Sequence, residues 1–208
     1  DHFIQKESPH NPIILCYRMI YNLIEGNRRE FEVAHNRLHE MLNSNEELNA
    51  SDYDARFSFA FVNMTSALLK QKVEFEPNIL KSPIYHIGES HSLSFVHHKL
   101  TINEESKLIQ PKIVLGAKVW HLASTKQNRY KSILKFHAKS IPKESIIFLS
   151  FGEIDCRQEE GYIKKYSAFS ESLANAIERD VSAYVNFIKN IFNRSNCKIY
   201  FFSVPAPV

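Results

Sequence analysis

Glycine is scarce in this chain, with only 5 among 208 residues, so each one marks a place where the backbone needs unusual freedom. The three cysteines are an odd number without metal-type spacing, which argues against a disulfide framework and a metal site and favours a reducing, cytoplasmic setting. No apolar run approaches the ~18 residues of a membrane span. The formal net charge of +3 gives no strong field, so we expect no nucleic-acid partner. Nucleotide-binding glycine motifs are also missing, and we expect no cofactor.

Residues 1–80 have the pattern of an all-helical region, a helical hairpin faintly similar to tetratricopeptide units. Asn11 can cap a first helix, Pro12 suits its first turn and Gly26 its C-terminal end. Side chains at helical spacing predict a second and a third helix; these stripes are Phe31, His35, Leu38 and Leu42, then Phe57, Phe61, Met64 and Leu68. Such a region could recruit a protein partner.

Residues 81–208 change to short apolar strands that alternate with helices. The predicted strands cover residues 83–87, 111–116, 145–151 and 198–204. Continuous apolar strands separated by helical stretches predict an α/β domain, a flavodoxin-like parallel sheet in three α/β/α layers. The longest helix is expected over residues 167–192, with the apolar stripe Leu173, Ile177, Val181, Tyr184, Ile188 and Ile191. We expect a fifth strand and its helix to be missing from these 208 residues.

A glycine follows the first and the third predicted strands and is the last residue of the second. Gly88 begins Gly-Glu-Ser-His-Ser, Gly116 begins Gly-Ala-Lys, and Gly152 begins Gly-Glu-Ile-Asp-Cys-Arg. Ligands of open α/β sheets bind at the carboxyl ends of the strands, so we expect these turns to border one site. Backbone N–H groups exposed in such turns suit an oxyanion or a phosphate.

These turns resemble the conserved blocks of the SGNH (Gly-Asp-Ser type) hydrolase superfamily, in the same order along residues 82–204. The resemblance implies an acyl-ester hydrolase with Ser90 as nucleophile, Gly116 as backbone oxyanion donor, and Glu89 and Asp155 as further catalytic residues. It implies a substrate-binding role for His91, Gly152, Glu153, Arg157 and His121. Residues 151–157, Phe-Gly-Glu-Ile-Asp-Cys-Arg, resemble a signature of an uncharacterised bacterial branch that carries helical repeats before this domain. The expected substrate is a small-molecule or glycan ester.

Three departures from that family pattern concern the chemistry. Glu89 replaces the usual aspartate, and Ile154 replaces an oxyanion-binding asparagine, a loss of about 2.7–4 kcal/mol of transition-state stabilisation. The family's Asp-x-x-His, which supplies the general base, is not found in these 208 residues, and we expect it to follow them. His91 and His121 are the other candidates for the base.

Several of these residues also have a purely structural interpretation. Ser90 can be a helix N-cap, and Glu153, Asp155 and Arg157 can form an ion-pair network that fixes their loop. The alternative to an esterase is therefore a non-catalytic module that binds a ligand or acts as a scaffold on the same fold. A phosphate or sulfate site at the glycine-led turns is a third possibility.

Overall fold

The computed structural model describes residues 11–44, 53–70, 75, 82–167, 171–193 and 195–202. The chain divides into two compact units. The first comprises Asp1–Leu80 with Val96–His98, and the second comprises Lys81–Phe95 with Lys99–Val208. Within the described ranges, no helix combines the length and the apolar character needed to cross a membrane.

The described residues of the first unit include three helices. Its helices are α1 (Pro12–Glu25), α2 (Arg28–Ser44) and α3 (Tyr53–Lys70). The Asn11 side chain accepts a hydrogen bond from Ile13 N–H at 3.0 Å, which caps α1. Gly26 ends that helix in the left-handed region at φ 73°, a conformation that glycine adopts without strain. The predicted stripe of α2 is buried along its whole length.

Helix α3 presents a different face to the core from the one predicted. Phe61 and Leu68 are buried, but Phe57 and Met64 are only half-buried. Small and polar side chains complete the buried face: Ala55, Ser58, Val62 and Thr65. Small residues at a helix contact allow the backbones to approach closely, and the larger aromatic side chains then lie at the edges of the contact.

The second unit is an α/β structure with a five-stranded, mostly parallel sheet. Its strands are β1 (Ile84–Gly88), β2 (Lys99–Ile102), β3 (Glu105–Ile113), β4 (Ile146–Ser150) and β5 (Lys198–Phe201). The spatial order is β2-β3-β1-β4-β5, in which β2 alone runs antiparallel to its neighbour. The last two residues of the predicted fourth strand, 203 and 204, lie outside the described residues.

The hairpin of β2 and β3 was not predicted, and it changes the second predicted strand. Residues 111–113 are the end of a nine-residue strand that begins at Glu105, and residues 114–116 leave the sheet. The hairpin turn consists of Asn103 and Glu104, both at positive φ (50° and 67°). The usual sequence of such a turn is Asn-Gly or Asp-Gly. Here a glutamate stands at the second position, so the sequence does not predict the turn.

Helices cover the sheet face that carries Ile87, Ile147 and Leu149. They include α4 (Val119–Ala123), α5 (Arg129–Ser140) and α8 (Leu173–Phe192), while α6 (Glu153–Cys156) and α7 (Tyr162–Tyr166) lie between β4 and α8 in the chain. The core of this layer includes Leu134 of α5 and Ile188 of α8. Burial of these aliphatic side chains supplies the main stabilisation of the unit.

The apolar stripe predicted for α8 is right in its second half and wrong in its first. Tyr184 and Ile188 are buried, whereas Leu173, Ile177 and Val181 are 37–41% exposed. Ala176 and Asp180 take the buried positions in the first half of the helix. The Asp180 carboxylate accepts a hydrogen bond from the Tyr166 hydroxyl at 2.9 Å, so a polar contact with α7 replaces the expected apolar one.

Candidate functional site

The three parallel strands β3, β1 and β4 end at the same level of the sheet. Gly88, the last residue of β1, is in register with Ile113 of β3 and with Ser150 of β4. The chain passes from β1 to β3 on one side and later returns to β4 on the other side of β1. The order therefore reverses between β1 and β4, which is where open α/β sheets form a ligand crevice.

Gly88 brings the backbones of β1 and β4 close together at this edge. A Cβ atom on Gly88 would lie 2.2 Å from Ser150 Oγ and 2.9 Å from its carbonyl oxygen. The contact continues for one more residue, because Glu89 N–H donates to the Ser150 carbonyl at 3.4 Å. Glycine is thus required here by space between the strands.

Ser90 is the first residue of the 3₁₀ helix Ser90–Phe95 and is half-buried. The turn around it is held by Ser92, whose backbone N–H and hydroxyl both donate to the Glu89 carbonyl at 3.0 and 2.7 Å. Among the described residues, the Ser90 hydroxyl makes no hydrogen bond to a histidine. The geometry presents a hydroxyl at the crevice without a base in direct contact with it.

Glu89 is the most unusual group at this edge, because its side chain is ionisable and only 1% exposed. One carboxylate oxygen, Oε2, is buried without a hydrogen-bond partner in the described part of the chain. The pKa of Glu89 is raised to about 8, first by burial and then by the negative charge of Glu153, while Arg157 opposes the rise. A buried carboxyl with this electrostatic environment is typical of functional sites.

His91 and Glu153 face the same carboxyl group. His91 Nδ1 lies 3.9 Å from Glu89 Oε1 and 3.7 Å from Glu153 Oε2. One donor atom from each of the three side chains lies within 4.8 Å of the others, and we call this group the Glu89–His91–Glu153 cluster. The strand ends β1 and β4 therefore bring together four of the predicted site residues, these three and Ser90.

Arg157 orients Glu153 from the side of α6. Its Nε donates to Glu153 Oε1 at 3.0 Å and its Nη2 donates to Oε2 at 2.8 Å. This paired contact fixes the plane of the carboxylate more firmly than a single hydrogen bond does. A second acidic residue, Glu160, lies 3.7 Å from Nη1.

The Asp155 carboxylate is directed towards helix α4. It is 3% exposed, and both of its oxygens lie 2.9 Å from Val119 N–H in the first turn of α4. Burial raises the pKa of Asp155 to about 6, and the N–H groups of Val119 and Trp120 oppose that rise. Its neighbour Ile154 is also buried. Neither side chain is a member of the Glu89–His91–Glu153 cluster.

The remaining predicted residues lie around the cluster or apart from it. Gly152 precedes α6 at φ 120°, which only glycine adopts readily, and Gly116 lies exposed in the turn after β3 at φ 67°. His121 is on α4, stacked on Tyr130 with 4.2 Å between ring centroids. The pKa of His121 is lowered to about 4, mainly by burial and then by Lys118.

A cavity of about 520 Å³ lies between α4, α7 and α8. Its lining includes Trp120, His121, Lys165, Arg179 and Asp180, and none of the members of the Glu89–His91–Glu153 cluster. The volume is typical of small-molecule sites, but Lys165 and Arg179 are both paired with Asp180. His121 is the predicted site residue that borders this cavity rather than the strand ends.

Sequence reasoning missed the residue that folds the loop after β4. A Cβ atom on Gly161 would lie 2.2 Å from the Asp155 carbonyl oxygen and 2.3 Å from that of Arg157, so a side chain there has no room. Gly161 N–H donates to the Arg157 carbonyl at 2.7 Å. The signal was available, since Gly161 is one of only 5 glycines in the chain.

Comparison of the chain with protein-family models, with curated proteins and with solved structures gives no match. We therefore infer the function from the geometry of the chain itself.

Proposed function

We propose that the ends of β1 and β4 form the active site of an SGNH-like serine hydrolase that acts on an acyl ester, with Ser90 as nucleophile. The observation that carries the proposal is the position of Ser90. It stands half-exposed in the first turn after β1, at the point where the strand order reverses. Reactive side chains of open α/β sheets occupy this position.

The strand order supports the assignment of the fold. Counted among the parallel strands alone, the order is second-first-third-fourth, which is that of flavodoxin-like sheets. In that arrangement the ligand lies at the boundary of the first and third strands. Here those strands are β1 and β4, and the loops that follow them carry Ser90 and Glu153.

The reaction that fits this site is acyl transfer to a serine. Ser90 Oγ forms a bond to the carbonyl carbon of the ester, the C–O bond to the alcohol breaks, and the alcohol leaves with the proton that Ser90 gives up. Water then breaks the acyl–serine bond, which releases the acid and returns a proton to Ser90. The backbone N–H groups of Ser90 and Gly116 are the proposed oxyanion donors. By the resemblance alone, the substrate is a small-molecule or glycan ester.

The test is covalent labelling of the purified full-length protein with a serine-reactive fluorophosphonate. We expect labelling of the wild type, loss of labelling in Ser90→Ala, and retention in Ser94→Ala, the matched control, which changes an exposed serine of the same 3₁₀ helix. Hydrolysis of p-nitrophenyl acetate should fall in parallel, by about 10³-fold or more. An unlabelled wild type, or labelling that persists in Ser90→Ala, overturns the proposal.

A non-catalytic ligand-binding module is the second candidate. Two observations favour it: the described residues bring no histidine to the Ser90 hydroxyl, and Ile154 is buried at the position of the family's oxyanion-binding asparagine. In that case the crevice binds an ester or glycan without cleaving it, and the helical unit recruits a protein partner. Saturable glycan-ester binding by an unlabelled wild type would favour this candidate.

A further inference from the structure

Two buried or half-buried carboxylates and an imidazole meet beside Ser90, and this donor set is the one that first-row divalent cations prefer. The members are those of the Glu89–His91–Glu153 cluster, with one donor atom each within 4.8 Å of the other two. Imidazole nitrogen with carboxylate oxygen suits Zn²⁺ or Mn²⁺ better than Mg²⁺ or Ca²⁺, which favour oxygen alone. We propose that this cluster is a binding site for a divalent cation of the Zn²⁺ or Mn²⁺ type.

The buried oxygen of Glu89 is an independent sign of a ligand. Glu89 is 1% exposed, its carboxyl group faces the cluster, and its Oε2 has no hydrogen-bond partner among the described residues. A buried carboxylate oxygen without a partner is energetically costly. A cation held by both oxygens of the Glu89 carboxylate would give Oε2 the partner that it lacks.

The distances are close to those of a metal site. Two ligand atoms that share one Zn²⁺ at about 2.1 Å lie about 3.0–3.5 Å apart. The corresponding separations here are 3.7 Å from His91 Nδ1 to Glu153 Oε2 and 3.9 Å to Glu89 Oε1. The His91 side chain is 53% exposed, so it has the room to rotate and shorten both of these separations.

The surroundings hold two of the three ligands in place. Arg157 donates to both oxygens of Glu153, and the Glu153 backbone N–H donates to the Glu89 carboxyl group. Such outer contacts orient ligands at metal sites while leaving further lone pairs for the metal. A bound cation would displace the proton from the Glu89 carboxyl group, and the two carboxylates would then outnumber the single guanidinium.

A cation here would lie next to the serine and would lower the pKa of a hydroxyl group or water molecule bound to it, so that a weaker base suffices to remove the proton. This consequence for Ser90 rests on the proposed function, whereas the cation site itself does not.

The experiment is a calorimetric titration of the full chain with ZnCl₂ at pH 7.5, repeated with Mn²⁺ followed by electron paramagnetic resonance. We expect one saturable site, weakened about tenfold or more in Glu89→Gln and in His91→Ala. Glu178→Gln is the matched control, because it makes the same change on an exposed glutamate of α8 and should leave the affinity unchanged. Circular dichroism confirms that each variant is folded.

Glu89→Gln also separates a cation from a proton. The amide has the shape of a protonated carboxyl group, so a cluster that holds only a proton tolerates the substitution and binds no metal in either form. Absence of saturable Zn²⁺ and Mn²⁺ binding in the wild type overturns the inference, as does an affinity unchanged in His91→Ala, whose exposed side chain does not support the fold. Metal binding without fluorophosphonate labelling refutes only the hydrolase, and labelling without metal binding refutes only the cation site.

Discussion

Both oxygens of the Asp155 carboxylate lie 2.9 Å from the backbone nitrogen of Val119. This contact connects the loop after β4 to the first turn of α4, and it satisfies N–H groups that a helix start leaves without a partner. Asp155 was predicted as a catalytic residue by resemblance, and its observed contact is that of a helix cap.

Asp155→Ala should lower the free energy of unfolding by about 1–3 kcal/mol, because it leaves a buried N–H of Val119 without an acceptor. Asp155→Asn keeps one acceptor oxygen and should lose less. Urea unfolding followed by circular dichroism measures both variants. Equal losses in the two variants would show that the charge, and not the acceptor, is what stabilises α4.

Gly88→Ala should destabilise the protein by about 1–3 kcal/mol, because the added Cβ overlaps Ser150 in the neighbouring strand. Gly116→Ala is the contrasting variant. Its Cβ meets nothing within 4 Å, so only the left-handed φ of 67° opposes it, at about 1–2 kcal/mol.

Ser150→Ala provides the control for the Gly88 variant. It removes the Oγ atom that the new Cβ would meet at 2.2 Å but leaves the carbonyl oxygen at 2.9 Å. The double variant should therefore recover part of the lost stability, as measured by the urea midpoint. A Gly88→Ala protein as stable as the wild type would contradict the close packing of β1 and β4.

His86 should make the protein less stable in mild acid. Burial lowers its pKa from 6.5 to about 4, and its ring is surrounded by Phe95, Phe148 and Phe202. Between these two pKa values the unfolded chain binds a proton that the folded chain does not. The stabilisation is therefore complete above about pH 6.5 and is lost as the pH falls towards 4, by about 3 kcal/mol in total.

The difference between wild type and His86→Phe isolates this effect from other titrating groups. The variant also loses the contact of His86 Nε2 with Ser150 Oγ at 2.8 Å, which is a pH-independent change. From pH 8 to pH 4 the wild type should lose about 3 kcal/mol more unfolding free energy than the variant does. Parallel curves for the two proteins would show that folding does not lower the pKa of His86.

Glu104→Gly should stabilise the β2–β3 hairpin by a few tenths to about 1 kcal/mol. Glu104 adopts φ 67°, which costs a side-chain-bearing residue about 1–2 kcal/mol, and the greater flexibility of glycine in the unfolded chain offsets part of that gain. Thermal unfolding measures the change. Destabilisation would show that the Glu104 side chain makes a contribution of its own to the turn.

The sequence predicted those elements whose signals are local. Asn11, Pro12 and Gly26 specify the ends of α1 through their own side chains or lack of one, and the apolar run before Phe151 is unambiguous as a strand. Tertiary contacts decided the rest. Asp180 lies on the buried side of α8 because Tyr166 lies opposite, a partner that helical periodicity does not contain.

The candidate site was predicted in part, for the same reason. The glycine-led turns follow the carboxyl ends of the predicted parallel strands, so Ser90, Glu89 and Glu153 could be expected at one edge. The direction in which each side chain points could not be predicted from the sequence. Asp155 is two residues from Glu153, yet its carboxylate faces α4, and His121 lies in a separate cavity because α4 turns it towards Tyr130.

The positions of the glycines bear on how relatives of this chain could be recognised. Gly152 has a φ of 120°, Gly161 has backbone oxygens where a side chain would be, and Gly88 lies against the neighbouring strand. These requirements hold for the folded backbone whether or not any reaction takes place, so a descendant that lost its activity would keep all three. A search pattern built on the glycines would identify the shared architecture, whereas the residues at positions 89–91 and 153 would be the ones to compare for the proposed activity.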